Sequence, residues 1–155
     1  MPSYPPRDKR GFFMIPLAFE GGGYYTYGNP GGGKSQYAHP TMISMLFRVA
    51  NAWAHTDPRK FGVGDISLAE GMVHPHHDTH RSGLEVDIRP IRKDGRRDGC
   101  WVQSRDYDRD ATANLISLFL ADASVKLVLF NDRTIRGVRP MSGHDNHFHV
   151  KLIGG

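Results

Sequence analysis

The chain has a single cysteine, Cys100, among its 155 residues. No disulfide can therefore form within the chain, and a zinc site built from several cysteines is excluded. Stability must come from the core, to which a bound metal could add. Because no cysteine or histidine motif lies beside Cys100, we expect a buried or half-buried small side chain rather than a reactive thiol.

Long apolar runs are also missing. No stretch approaches the roughly 18 apolar residues that a transmembrane helix needs. The N-terminus is polar and rich in proline, and no apolar region of the kind found in signal peptides follows it. We therefore expect no membrane span and synthesis in the cytoplasm. The protein would act there, or in the periplasm or cell wall after cell lysis or specialised secretion.

The composition is that of one folded domain. Hydrophobic residues make up 39% of the chain, which is enough for one core, while 18 Gly and 10 Pro indicate long shaped loops. The net charge of +4 favours anionic partners such as nucleic acid, anionic lipid or a cell-wall polymer. The densest basic run, 89–97, contains Asp94, and a solvated loop is its simpler interpretation.

Hydrophobic periodicity predicts helices and strands in irregular alternation. Apolar residues at helical spacing predict helices over 41–54, directly after Pro40, and over 109–122. Strands are predicted over 61–68, 84–89, 125–130 and 147–152. Because no regular β-α-β rhythm is present, we predict an α+β domain with a central, mainly antiparallel sheet flanked by two main helices and long loops.

The remaining segments complete a single domain over 1–155. Residues 1–10 are predicted to form a flexible arm, and 11–19 a short apolar segment that packs on the core. The glycine run in 21–34 lacks the spacing of a phosphate-binding loop. We expect a mobile loop there, whose tyrosines pack on a surface or a ligand.

Seven of the nine histidines lie in two short clusters. The first runs from His74 to Asp87 and the second from His144 to Val150. Imidazole is the commonest protein ligand for borderline-soft divalent metals, and aspartate often accompanies it. Each cluster can therefore supply half of a metal site.

Strand geometry constrains the second cluster. His147 and His149 stand two residues apart, so both side chains leave the same face of a strand. One can bind a metal while the other reaches the water or substrate held on it. Phe148 and Val150 would anchor the opposite face in the core.

The first cluster offers a second imidazole and a carboxylate. His80 on the loop and Asp87 on the next strand can converge, because Gly83 between them allows the chain to turn. With His149 they make three protein ligands, which leave the fourth tetrahedral position to water, as in catalytic zinc sites. Histidines without any metal are the plain alternative, but seven in two clusters favour a metal. Copper or nickel could occupy the same ligands.

The two clusters resemble those of a known peptidase group. His80-x-x-Gly83-x-x-x-Asp87 with a late His147-x-His149 resembles the group of lysostaphin, the D-Ala-D-Ala carboxypeptidases and dipeptidases, and the hedgehog N-terminal domain. Within it, the sequence is most similar to the penicillin-insensitive murein endopeptidases. The similarity runs over 37–152 and includes Tyr37-Ala38-His39-Pro40, Gly64-Asp65-Ile66-Ser67, His77-x-x-His80-x-x-Gly83-Leu84-Glu85-Val86-Asp87-Ile88 and His144-Asp145-Asn146-His147-Phe148-His149-Val150.

The resemblance implies a role for each site residue. His147 would be the general base or would stabilise the tetrahedral intermediate. His77 and His144 would support the ligands or polarise the substrate. Three residues would bind Zn²⁺: His80, Asp87 and His149.

The resemblance also implies a substrate. The enzyme would hydrolyse D-alanyl–meso-diaminopimelate crosslinks of peptidoglycan as a lytic enzyme, either a phage endolysin or a secreted antibacterial effector. An effector would have a cognate inhibitor (immunity) protein or a secretion-system component as partner. Nucleic acid is not an expected partner.

The sequence departs from the related families in several respects. It lacks the export signal and the several cysteines expected of the periplasmic enzymes, and it is shorter. The lysostaphin branch places its aspartate closer to the first histidine, and the dipeptidase branch has a glutamate where His147 stands.

Two other functions remain open. The domain could bind zinc without catalysis, although His147 and the open fourth position argue against this. It could be a His-metal nuclease, but no arginine or lysine beside the metal can be assigned to a phosphate. Among the other histidines, His74 and His76 are expected in the loop at the mouth of the site, and His39 and His55 are expected to be structural.

Overall fold

Two α-helices and seven strands make up the main regular structure in the part of the chain that is described. The computed structural model describes residues 4–17 and 22–155. The helices are α1 (Pro40–Ala54) and α2 (Arg109–Ala121). The strands are β1 (Phe13–Met14), β2 (Tyr24–Thr26), β3 (Tyr37–Ala38), β4 (Phe61–Val63), β5 (Glu85–Ile88), β6 (Val125–Leu129) and β7 (Phe148–Leu152).

The main sheet has five strands in the order β2-β4-β5-β7-β6, and β1 pairs separately with β3. Strand β5 is antiparallel to β4 and β7, and β7 is antiparallel to β6, whereas β2 runs parallel to β4. The predicted α+β class with a mainly antiparallel sheet and two main helices is therefore confirmed. No helix in the described part of the chain is both long and apolar enough to cross a membrane.

Local signals explain where α1 begins and ends. Pro40 occupies the first turn, where its missing N–H costs nothing. The ring Nδ1 of His39 accepts a hydrogen bond from the backbone N–H of Thr41 at 3.1 Å. At the other end, His55 Nδ1 lies 2.7 Å from the carbonyl oxygen of Asn51. The structural role predicted for His39 and His55 is confirmed.

The apolar face of β7 fixes the orientation of the strand. Phe148, Val150 and Leu152 have no exposed surface. The Phe148 ring makes edge contacts with Phe119 of α2 at 5.6 Å and with Phe130 at 5.9 Å. Side chains alternate along a strand, so the core contacts turn the intervening residues of β7 to the other face. Cys100 is also buried, as predicted.

The prediction of a mobile loop over 21–34 is wrong where β2 forms. Tyr24 and Tyr25 are buried, and β2 is an edge strand of the main sheet. Gly23 precedes β2 because a Cβ atom there would stand 2.2 Å from the carbonyl oxygen of Ala50 in α1. A strand of three residues is too short to show a periodicity, and the surrounding glycines concealed it. Residue 21 lies outside the described part.

The N-terminal segment also differs from the prediction of a flexible arm. Asp8 is buried and accepts hydrogen bonds from Arg10 Nε at 2.8 Å and from the backbone N–H of Glu70 at 2.9 Å. Arg10 also donates to Ser67 Oγ at 3.0 Å. Residues 4–10 therefore pack against the loop that precedes the first histidine cluster. Residues 1–3, and residues 18–19 of the predicted apolar segment, lie outside the described part.

Candidate metal site

The register of β5 and β7 joins the two histidine clusters. Antiparallel pairing places Asp87 opposite His149 and Glu85 opposite Lys151. Residues opposite each other in a sheet project from the same face. Since Val150 faces the core, these four side chains share the face that is turned away from the helices.

The Asp87 carboxylate is the centre of the site. Its Oδ1 atom lies 3.0 Å from His149 Nδ1, 3.3 Å from His80 Nε2 and 3.8 Å from His147 Nε2. Its Oδ2 atom lies 3.7 Å from His77 Nε2. One buried carboxylate thus faces four imidazole rings contributed by both clusters.

Backbone geometry directs His80 towards Asp87. His80 is buried and has a left-handed backbone conformation with φ of 54°. Gly83 follows with φ of 72°, and a Cβ atom there would stand 2.8 Å from the backbone nitrogen of His39. The predicted turn at Gly83 is therefore present. His80 Nδ1 lies 3.3 Å from the carbonyl oxygen of Ile66, so Nδ1 carries the proton and Nε2 is free to bind a metal.

Glu85 supports both histidines that flank Asp87. It is only 5% exposed, and its Oε2 atom accepts a hydrogen bond from the backbone N–H of His80 at 2.9 Å. Its Oε1 atom lies 3.2 Å from Lys151 Nζ and 3.7 Å from His149 Nε2. Glu85 therefore restrains the strained backbone of one histidine and the ring of the other.

The carboxylates and imidazoles shift one another's pKa values. Burial acts to raise the pKa of Asp87, but the hydrogen bonds and charges of His149 and His80 hold it far below its usual range. The contact with His149 likewise holds the pKa of Glu85 well below normal. Burial acts to lower the pKa of His149, but Asp87 and Glu85 together raise it to about 9. Both carboxylates are ionised at neutral pH and suited to a cation.

His147 and His144 lie beside this centre. His147 Nδ1 lies 2.8 Å from Asn146 Oδ1, and burial lowers the pKa of His147. The ring is therefore neutral at neutral pH, with Nε2 turned towards Asp87. The His144 ring stacks at an angle on His147, with 4.9 Å between the ring centroids.

A second hydrogen-bond network holds His77. Its Nε2 atom lies 2.9 Å from Asp65 Oδ2, and this hydrogen bond raises the pKa of His77. His74 was expected at the mouth of the site but is buried. Its Nε2 donates to the carbonyl oxygen of Asn29 at 2.7 Å, and its Nδ1 accepts from the backbone N–H of His76 at 3.1 Å. Because both nitrogens of His74 have partners, His74 acts as a structural support.

Among residues 4–17 and 22–155, two sets of donor atoms are close enough to hold a metal ion. His77, His80 and Asp87 offer ligand atoms within 4.8 Å of one another. Asp65, His74 and His77 do the same, but the hydrogen bonds of His74 compete with metal binding there. Imidazole nitrogen and carboxylate oxygen are ligands of borderline divalent metals such as zinc, so the residues around Asp87 fit such an ion.

The site opens into a groove of about 790 Å³. All six residues predicted to bind the metal or act in catalysis line this groove. They are His77, His80, Asp87, His144, His147 and His149. Leu127, Leu129, Arg139 and Met141 lie along it as well. The groove gives an extended ligand access to the Asp87 carboxylate.

Two carboxylates that support the site, Glu85 and Asp65, lie within the sequence motifs but were not predicted to have a role. Glu85 could have been found, because strand alternation places it on the same face as Asp87. Asp65 could not, because its contact with His77 depends on the path of the chain between β4 and β5, which no local pattern specifies.

The fold and the site together define an α+β domain with a histidine and aspartate cluster that can hold a metal in an open groove. A family model described as "Penicillin-insensitive murein endopeptidase" matches residues 16–107, more than half of the chain, and the chain belongs to this family. The matched segment contains His77, His80 and Asp87. The second cluster lies beyond it and joins the site through the pairing of β5 with β7.

Two curated proteins called penicillin-insensitive murein endopeptidase are similar to the chain. The protein of Haemophilus influenzae is 28% identical over 148 residues, covering 75% of this chain and 51% of that protein. The protein of Yersinia enterocolitica is 26% identical over 156 residues, covering 77% of this chain and 54% of that protein. The chain thus spans about half the length of these relatives.

Proposed function

We propose that residues 1–155 form a single zinc metallopeptidase domain that hydrolyses peptide crosslinks in bacterial peptidoglycan, at the bond between D-alanine and meso-diaminopimelate. The observation that supports this most directly is the convergence of His80 Nε2 and His149 Nδ1 on Asp87 Oδ1 beside an open groove. Family membership supports the choice of substrate.

In this proposal His80, Asp87 and His149 hold the metal. Zinc held by these residues would acidify a water molecule and polarise the scissile carbonyl group. His80 keeps its proton on Nδ1, facing Ile66, while Glu85 favours a proton on Nε2 of His149. The ligand atoms are then His80 Nε2 and His149 Nδ1, both on the side of Asp87.

His147 is the proposed general base. The ring is neutral, and its Nδ1–H group donates a hydrogen bond to Asn146 Oδ1. The lone pair on Nε2 therefore faces Asp87. It can take a proton from the attacking water and return it to the leaving amine. His77 is held by Asp65 through Nε2, which leaves its Nδ1 to donate a hydrogen bond to the peptide carbonyl as it gains negative charge. His144 packs on His147 and supports its ring.

The decisive experiment compares substrates and metal states. Purified protein is incubated with crosslinked muropeptide dimers, with and without a chelator, and the products are identified by mass spectrometry. We expect dimers to become monomers, cleavage to stop with the chelator, and zinc to restore it. If the dimers stay intact in the presence of zinc, the peptidase assignment is wrong, and a zinc-binding module without catalysis is the remaining function. A parallel incubation with plasmid DNA tests the nuclease alternative, which is correct if DNA is cut instead.

Glu85→Gln should weaken metal binding by about 10–100-fold, the usual cost of losing a partner that orients a metal-binding histidine. The amide would turn its N–H group either towards His149 and Lys151, where it opposes two donors, or towards the backbone N–H of His80, where it opposes one. The affinity is measured by competition with a chelating dye. Asp98→Asn, which changes an exposed carboxylate paired with Arg96, is the matched control. Equal affinity of Glu85→Gln and the control would show that Glu85 does not orient the ligands.

We further propose that the enzyme is lytic and reaches the cell wall after lysis or through specialised secretion. A phage endolysin and an antibacterial effector differ in their partners. A neighbouring holin gene supports the former, and a neighbouring gene for a small periplasmic inhibitor supports the latter. Co-purification of the inhibitor with this chain tests the effector hypothesis directly.

A further inference from the structure

One row of residues crosses the sheet from the proposed metal ligands to Arg139. The register pairs Asp87 of β5 with His149 of β7, and His149 with Leu129 of β6. A parallel bridge then pairs Leu129 with Arg139. Neighbouring strands lie about 4.8 Å apart, so the backbone of Arg139 lies two strand spacings, or about 10 Å, from the backbone of His149. Arg139 and His149 line the same groove.

The backbone of Arg139 is fixed, whereas its side chain is free. Its N–H donates to the carbonyl oxygen of Val128 at 2.8 Å, and its carbonyl oxygen accepts from the N–H of Phe130 at 3.1 Å. Within residues 4–17 and 22–155, the guanidinium group of Arg139 has no ion pair and no hydrogen bond. Lys151, the other lysine or arginine along the groove, is paired with Glu85 at 3.2 Å.

The surroundings of Arg139 suit one anionic group on a partly apolar ligand. Leu127, Leu129 and Met141 line the groove near it, and Met141 is 46% exposed. The guanidinium fork matches a carboxylate through two parallel hydrogen bonds. A polyanion would meet the carboxylates of Glu85 and Asp87 in the same groove, so a single charge fits better than a phosphate chain.

We propose that Arg139 binds a free carboxylate of the crosslinked peptide and thereby selects and orients the substrate. This inference rests on the proposed function, because the stem peptides of peptidoglycan carry free carboxylates on acidic and diamino-acid residues. A span of about 10 Å corresponds to about three residues of extended peptide. The recognised carboxylate would therefore lie two or three residues from the scissile bond, or at the end of a long side chain nearer to it.

The test varies the enzyme and the substrate together. Wild type, Arg139→Ala and Arg139→Lys are assayed on muropeptide dimers with free carboxylates and on the same dimers after amidation. Arg136→Ala is the matched control, because Arg136 is exposed nearby but does not line the groove. Metal content is measured for every variant.

On the free dimers, Arg139→Ala should raise KM by roughly 10- to 100-fold, because this factor corresponds to the usual free energy of a hydrogen bond to a charged group. The values of kcat and metal content should stay unchanged. Arg139→Lys should recover part of the loss, and Arg136→Ala should match wild type. On amidated dimers, wild type should fall to the level of Arg139→Ala. The proposal is overturned if Arg139→Ala has the KM of wild type on free dimers. It is also overturned if Arg139→Ala raises KM by the same factor on free and on amidated dimers.

A binding measurement separates this inference from the proposed function. Free and amidated dimers are titrated calorimetrically into metal-free protein. If metal-free wild type binds free dimers more tightly than metal-free Arg139→Ala does, but zinc-loaded wild type cleaves nothing, the peptidase assignment fails and the carboxylate subsite stands. If wild type cleaves free dimers and Arg139→Ala binds and cleaves them equally well, only the subsite fails. If wild type neither binds nor cleaves, both fail.

Discussion

Asp87→Ala is expected to abolish metal binding and, with it, peptidase activity. The Oδ1 atom of Asp87 is the point on which His80 and His149 converge, and without it the site keeps two imidazoles but no charged ligand. Since removing a partner behind a ligand already weakens metal sites by about 10–100-fold, loss of this carboxylate should cost more than roughly a hundredfold. Metal content after dialysis and the turnover of muropeptide dimers are the two measurements.

Two further variants serve as comparisons for Asp87→Ala. His149→Ala should also lose the metal, whereas Asp98→Asn should retain both metal and turnover. Circular dichroism establishes that each variant is folded, which is necessary because removing one partner of a buried ion pair costs about 3–5 kcal/mol. A folded Asp87→Ala protein that keeps one equivalent of zinc would place the metal elsewhere and refute the ligand assignment.

His147→Ala is expected to separate chemistry from metal binding. Its Nε2 atom lies 3.8 Å from Asp87 Oδ1, further than the nitrogens of His80 and His149, and its pKa is lowered by burial. Loss of a general base reduces turnover by about 10²–10⁴-fold, so kcat should fall by that factor while zinc content stays near normal.

The same metal assay decides whether base and ligand were assigned correctly. If His147→Ala loses zinc as completely as His149→Ala does, His147 is a ligand, and the base must be sought among the other histidines of the groove. His55→Ala, which changes a histidine at the end of α1 that does not line the groove, should alter neither zinc content nor kcat.

Much of the site could be predicted from the sequence because strand alternation is a local property. The spacing of His147 and His149, with apolar residues between and after them, is enough to place both rings on one face of a strand. Gly83 likewise predicts a turn, since a positive φ favours glycine. The site residues so identified all line one groove in the structure.

The mistaken predictions fall where local pattern carries little information. Strand β2 is only three residues long, and its pairing with β4 depends on the close approach of Gly23 to α1. Asp8 and Arg10 are charged, so the sequence favours solvent exposure for both side chains. In the structure they form a partly buried ion pair with each other. In both segments, contacts with distant residues override the local preference.

The sequence by itself determined which residue types are available for metal chemistry, the two clusters that contain them and the faces of their strands. Only the tertiary structure decided that Asp87 pairs with His149 rather than with a neighbouring position, that Glu85 restrains His80 and His149 together, and that Arg139 lies at the end of the same row. The physical reason is that strand register joins segments far apart in the chain. A shift of one residue would turn the same side chains to the opposite face.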